Sequence, residues 1–202
     1  MAAQHVRTTH KNNISINKNP NKMKKFIFVT MALALLLGAT SCKKQQTVEK
    51  TITSDYTYMS EHHPDFVWYE SQITLADYLD NSSSTAFKYV DNIFQYFEDG
   101  QPHVIIFTHT GGKVDSTKHN DIWIEDCAMT PADIKLTYTQ AYEQVMKSNY
   151  PKPHSKNCIL RESVGPYSCN PQYVFGTIDE PLFVDAVTGK VVNTDPAFNK
   201  RE

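Results

Sequence analysis

Residues 171–192, PQYVFGTIDEPLFVDAVTGKVV, constrain the fold more than any other stretch of the chain. Tyr173, Phe175 and Thr177 alternate with Gln172, Val174 and Gly176, and Asp179, Glu180 and Pro181 then interrupt the run. Residues 182–186 form a second apolar segment, and Thr188 and Gly189 turn the chain into Lys190, Val191 and Val192. Alternation puts side chains on two faces of a strand, and clustered turn residues reverse the chain. The stretch therefore predicts a hairpin of two short strands followed by a third. Asp185 and Thr188 can bond the backbone of the last turn, where Gly189 can take positive φ at little cost. The stretch builds a sheet and supplies no chemistry.

A helix is expected beside that sheet. Thr137 and Gln140 form a T-x-x-Q capping box, in which each side chain satisfies a free backbone N–H of the other. Behind it Tyr138, Ala141, Tyr142, Val145 and Met146 recur at three- and four-residue steps, one apolar face that reads as core rather than as a ligand site. Pro151 and Pro153 follow its end, residues 158–161 open a strand, and Gly165 and Pro166 turn it.

The first half is read by the same rules. Residues 66–69 predict a short aromatic strand, and residues 74–80 one or two helical turns. Residues 84–98 predict a helix capped by Ser82, Ser83 or Ser84, with Ala86, Phe87, Val90, Ile93, Phe94 and Phe97 at helical steps and Asp99-Gly100 as its stop. Residues 104–107 predict a buried strand, Gly111 and Gly112 a turn, and residues 121–125 another strand. The expected class is α+β, a helix packed on a small antiparallel sheet. Helix, strand, strand recurs in both halves, so two tandem copies are one arrangement to test, although no residue-level repeat accompanies the order. The expected organisation is a unit at 61–130 and a second at 131–202.

The N-terminal residues carry a different message. Met23-Lys24-Lys25, an apolar run over 26–37 and then Gly38-Ala39-Thr40-Ser41-Cys42 follow the charged, apolar and small-residue order of a secretory signal at 23–41. The apolar run is shorter than the roughly 20 residues of a membrane span. A cysteine after small residues resembles the lipobox of bacterial lipoproteins of the Bacteroidetes type, with Ala39 where leucine is commonest. The resemblance implies that Cys42 receives diacylglycerol and becomes the first mature residue. Residues 1–22 precede this plan and read as an over-extended start. Residues 42–60 are polar, show no helical period and read as a tether of roughly 25 Å root-mean-square span. No acidic run follows Cys42, which favours the periplasmic face of the outer membrane over export to the cell surface.

Charge narrows the partners. Residues 1–41 hold six Lys or Arg and no acid, whereas from Cys42 onward 14 basic residues face 22 acidic ones. An acidic body argues against nucleic acid, whose binding rests on Lys and Arg neutralising phosphate, and against electrostatic docking on anionic lipid. The expected partner is a protein or peptide, with the membrane engaged through the N-terminal lipid alone.

In the second half the residues carry a family resemblance. Leu136-Thr137, a helix with Ala141, a strand, an aromatic strand with Tyr173 and Phe175, and then Phe183-Val184-Asp185-Ala186-x-Thr188-Gly189-x-Val191 are together similar to the PepSY module. That module occurs in propeptides of thermolysin-like metallopeptidases and in bacterial envelope proteins. The resemblance covers residues 134–193 and departs in the long 161–170 connection with Pro166 and Cys169. It implies a helix laid across a small antiparallel sheet. It also implies a non-catalytic role that inhibits, chaperones or localises a peptidase or binds another envelope partner, and it carries over no catalytic residue and no cofactor.

Other features weigh against that reading. His103, His109 and His119 stand near Asp115, Asp121 and Asp126, residue types that hold zinc, so a metal-dependent enzyme is one alternative. His103 and His109 are an even number of residues apart and would share a strand face. A structural envelope-assembly protein is another alternative. His62 and His63 read as a solvated linker end. Gly111-Gly112-Lys113 lacks the first glycine of a phosphate loop and has Val114 in place of Ser or Thr. Cys127, Cys158 and Cys169 remain after Cys42. A hairpin would set Cys158 opposite about residue 176, so spacing leaves a bridge between Cys158 and Cys169 open.

Overall fold

The computed structural model describes residues 46–81, 84–123 and 126–199. Helix α1 (Val48–His62) precedes strands β1 (Val67–Leu75), β2 (Phe87–Glu98), β3 (Gln101–Thr110) and β4 (Lys113–His119). A two-residue strand β5 (Asp126–Cys127) and a 3-10 turn (Pro131–Asp133) lead to helix α2 (Tyr138–Lys147) and strands β6 (Asn157–Ser163), β7 (Gln172–Gly176), β8 (Pro181–Asp185) and β9 (Val191–Val192). The strands form one antiparallel sheet in the order β4-β3-β2-β1-β6-β7-β8-β9, with β5 beside β6. The class is α+β and mostly sheet. In each half a helix precedes a four-strand meander, and the two expected units share one sheet through the β1–β6 pair.

Register explains the core. Val90, Ile73, Cys158, Phe175 and Leu182 are successive cross-strand partners from β2 to β8, and all are buried. The next row on the same face is Asn92, Ser71, Leu160, Tyr173 and Val184, also buried throughout. Both helices cover this face. Tyr56 of α1 meets Phe66 and Trp68 edge-on at 4.8 and 6.5 Å. Tyr138 and Tyr142 of α2 each lie 6.2 Å from the Phe175 ring. Glu49 of α1 accepts the Tyr138 N–H at 2.6 Å, so a side chain from the first half caps the helix of the second. Among the described residues no helix is long and apolar enough to cross a membrane.

The first half departs from its sequence reading. The expected tether is largely helix α1, capped by Thr47, whose hydroxyl accepts the Lys50 N–H; residues 42–45 lie outside the described residues. Its buried positions are Val48, Thr51, Ile52, Asp55 and Met59, a helical stripe in which two members are polar. Those two hide the period from any count of apolar residues. The expected helix at 84–98 is strand β2. Val90, Phe94 and Tyr96 face the helices, while Ile93 is buried on the opposite face. Burial on both faces, with Asn92 in the core row, imitates helical spacing. Asp99 and Gly100 have φ of 52° and 74° and join the paired residues Glu98 and Gln101. They form a tight Asp-Gly hairpin turn rather than a helix stop. At 74–80 strand β1 continues to Leu75 and then bends into one hydrogen-bonded turn, where the Asn81 N–H donates to the Tyr78 carbonyl at 3.1 Å, and no helix forms. Residues 121–123 are not strand; the Trp123 N–H donates to the Gln95 side chain at 2.7 Å, and residues 124 and 125 lie outside the described residues.

The second half follows its reading closely. The capping box forms, with Gln140 Oε1 accepting the Thr137 N–H at 2.8 Å. Met146 is the exception on the apolar face, since it is exposed. Cys158 pairs with Phe175, one residue from the expected opposite position. Cys158 is a buried thiol and forms no bridge to Cys169. Gly176 sits at φ 114°, and a Cβ there would strike the Glu180 carbonyl oxygen and the Pro153 ring. Only glycine fits that position.

Candidate functional site

The histidines come first because they could carry chemistry. His103 and His109 share the helix-covered face of β3, six residues or about 20 Å apart along the strand. His119 is the register partner of Val104 and points to the other face. The structure does not bring the three together. Asp115 and Asp121 bond the N–H of Ser116 and Ile122, their own neighbours. Among the described residues no three His, Cys, Asp or Glu side chains gather at distances that could hold a metal ion. His62 and His63 end α1 instead of a linker: His62 stacks on Tyr58, and His63 packs 3.9 Å from Tyr96, where burial pushes its pKa down.

His109 belongs to a buried network that sequence reasoning missed. Gln46 accepts the Gly112 N–H through Oε1 at 3.0 Å, so its amide nitrogen faces His109 Nδ1, also at 3.0 Å. His109 Nδ1 must then accept, and Nε2–H donates to Asp55 Oδ2 at 2.7 Å. The same oxygen accepts from Asn92 Nδ2 at 2.7 Å, and Asn92 Oδ1 accepts from the Ser71 hydroxyl at 2.6 Å. Ser71 and Asn92 are fully buried and His109 is 2% exposed. Serine, histidine and aspartate are present, but the serine hydroxyl faces the asparagine rather than the imidazole, and substrate has no route in. The network holds α1 on the sheet.

The accessible chemistry lies on the other face. Gln72, Ile159, Val174 and Phe183 are successive partners across β1, β6, β7 and β8, facing away from both helices. Beside them runs a polar row, Glu70, Arg161, Gln172 and Asp185. The apolar row, with Gln72 and Arg161, lines a groove of about 720 Å³, which Thr74 and Tyr89 extend toward β2, whereas Glu70 and Gln172 are buried. One wall is the C-terminal segment, where Asp195 stands 4.0 Å from the Arg161 guanidinium. That wall is fixed by the Tyr167 N–H, which donates to the Ala197 carbonyl at 3.1 Å. Ile178 and Phe198 stand at the rim, 94% and 62% exposed.

Electrostatics at the far end of the polar row are set by a turn. Burial opposes the charge on Asp185, yet the N–H groups of Thr188 and Val187 and the Asn170 amide donate to it and hold its pKa below the usual carboxylate range. Asp185 is thus occupied in fixing the β8–β9 turn. The groove offers an apolar strip, amide and hydroxyl groups and one guanidinium. It can bind an extended segment, and among the described residues it aligns no nucleophile with a base. Val174 and Phe183 were legible as the outer members of alternating strands. The strip itself was not, because Ile159 joins it only through the β6–β7 register. No protein family, curated protein or solved structure matches the chain.

Proposed function

We propose that this chain is a lipid-anchored envelope protein, held by Cys42 on the periplasmic face of the outer membrane, that works as a non-catalytic binding module of PepSY-like type. The observation that carries the reading is the groove. It is a concave face with an apolar floor of Ile159, Val174 and Phe183, flanked by polar groups and rimmed by exposed Ile178 and Phe198. Such a surface suits a loop or extended segment of a protein partner, a peptidase or another envelope protein. The tandem reading draws support from the order of elements, a helix and then a four-strand meander in each half. The first-half helix in that pairing is Val48–His62 rather than residues 84–98.

The test is photo-crosslinking in intact cells from probes placed at Ile159 and Phe198, with Val174→Glu as the disrupting variant. One recurrent protein adduct from both positions, lost in V174E while the melting temperature changes little, is the expected result. Adducts scattered over many proteins, or unaltered by V174E, overturn the groove as the contact. The mass of the mature protein tests the anchor separately, through diacylglycerol on Cys42.

A further inference from the structure

The C-terminal segment is a wall for two cavities. Asp195 and Phe198 line the groove, whereas Thr194 and Pro196 line a second cavity of about 410 Å³. The β8–β9 turn contributes Asp185 and Lys190 to this second cavity, and the start of β7 contributes Gln172. No residue of the apolar strip takes part.

Three polar groups of this cavity are left incompletely used by the fold. Gln172 is 2% exposed, and its Nε2 donates to the Asn170 carbonyl at 2.6 Å. No described donor reaches its Oε1, yet that oxygen is not sealed in the core, so it opens on the cavity that Gln172 lines. An amide oxygen held there gains from any donor that enters. Asp185 Oδ1 accepts the N–H groups of Val187 and Thr188, which fix the turn, whereas Oδ2 accepts the Asn170 amide at 2.9 Å and has lone-pair capacity left. Lys190 is exposed. Among the described residues neither Asp185 nor Lys190 forms an ion pair, with the other or with a third group. One carboxylate and one amine therefore border the same cavity without neutralising each other.

We propose that this cavity binds a small zwitterion of the amino-acid class. The ligand's ammonium group donates to Gln172 Oε1 and Asp185 Oδ2, and its carboxylate accepts from the Lys190 amine, all charge-assisted bonds. Val192 and Pro196 supply apolar wall for the aliphatic part of a side chain, and the volume suits a small molecule. A metal cation fits less well, because Lys190 repels it. A neutral saccharide fits less well too, because it leaves both charges uncompensated. The proposal stands apart from the groove reading and does not depend on the anchor.

The experiment is calorimetric titration of the full chain, purified in detergent, with each of the common L-amino acids in turn. The best binder is then compared with its N-acetyl and carboxamide derivatives, which lack the ammonium and the carboxylate respectively. Saturable binding of at least one free amino acid is expected, weakened about tenfold or more by either block. Lys190→Gln should weaken the free amino acid about tenfold and leave the carboxamide unchanged, a pattern that a merely unfolded turn would not produce. Lys113→Gln, on the edge strand β4 at the other end of the sheet, is the control and should leave binding unaltered. No saturable heat from any amino acid, or blocked derivatives that bind as tightly as the free one, overturns the proposal.

Discussion

The two halves of the sheet solve the same packing problem with different side chains. The row Asn92, Ser71, Leu160, Tyr173, Val184 shows this on one line of cross-strand partners. On the β6–β8 side the row is apolar except for the Tyr173 hydroxyl, which donates to the Leu136 carbonyl at 3.0 Å. On the β1–β2 side it is a polar pair, completed by Asp55 and His109. α2 therefore docks by excluding water, whereas α1 adds directed hydrogen bonds to the apolar burial of Val48, Ile52 and Met59. The first mode tolerates small shifts, and the second fixes a helix in one register, because a displaced partner leaves a buried polar group unsatisfied.

The largest test of this contrast is Phe175→Ala. Phe175 is fully buried between Tyr138 and Tyr142, and its loss should lower stability by about 4 kcal/mol in a urea melt. A much smaller loss would mean that α2 is not held by apolar burial. Next is Asp55→Ala, which strands His109 Nε2–H and leaves Asn92 Nδ2 with the Thr51 hydroxyl as its acceptor. A loss of about 2–3 kcal/mol is expected, together with faster hydrogen exchange along α1 while α2 stays protected. Equal loosening of both helices would dissolve the distinction.

A smaller effect is expected from Asp185→Asn, and it depends on pH. The Asp185 carboxyl sits below its ordinary pKa in the folded state. The stability it contributes is present above the usual carboxylate range and is lost as pH falls through the depressed folded value. D185N should therefore be less stable than the parent at pH 7 and show a flatter decline between about pH 5 and pH 2. Parallel melting curves would show that the turn does not depend on the charge. Smallest is Tyr138→Phe. The Tyr138 hydroxyl is buried without a hydrogen-bond partner among the described residues, and burial pushes its pKa far up. Its removal should be neutral or stabilising by up to about 1 kcal/mol. A clear loss would reveal a polar contact in the half assigned to apolar packing.

The same contrast governs what the sequence could reveal. Sequence patterns count apolar residues, and the second half places apolar residues where its geometry needs them. Thr137 and Gln140 announced α2, and alternation at Tyr173 and Phe175 announced β7. In the first half Thr51 and Asp55 occupy the buried stripe of α1, so its period vanished and a helix read as a tether. β2 failed for the opposite reason, since Ile93 and Phe94 are buried on opposite faces and their adjacency imitated a helix. Its turn was available locally in Asp99-Gly100. The groove lay beyond local patterns because its floor is assembled by register between strands distant in the chain.

The halves meet along β1 and β6, where Glu70 faces Arg161 roughly ninety positions away in sequence. Each meander joins neighbours and can zip from its own turns, so the seam is the slow step in building the molecule. Until it closes, β1 and β6 each offer an open edge, and the rows through Ile73 and Cys158 are cut in two. During that interval the chain is unshielded. Its exposure to mispairing is then set by how long two half-sheets take to find each other.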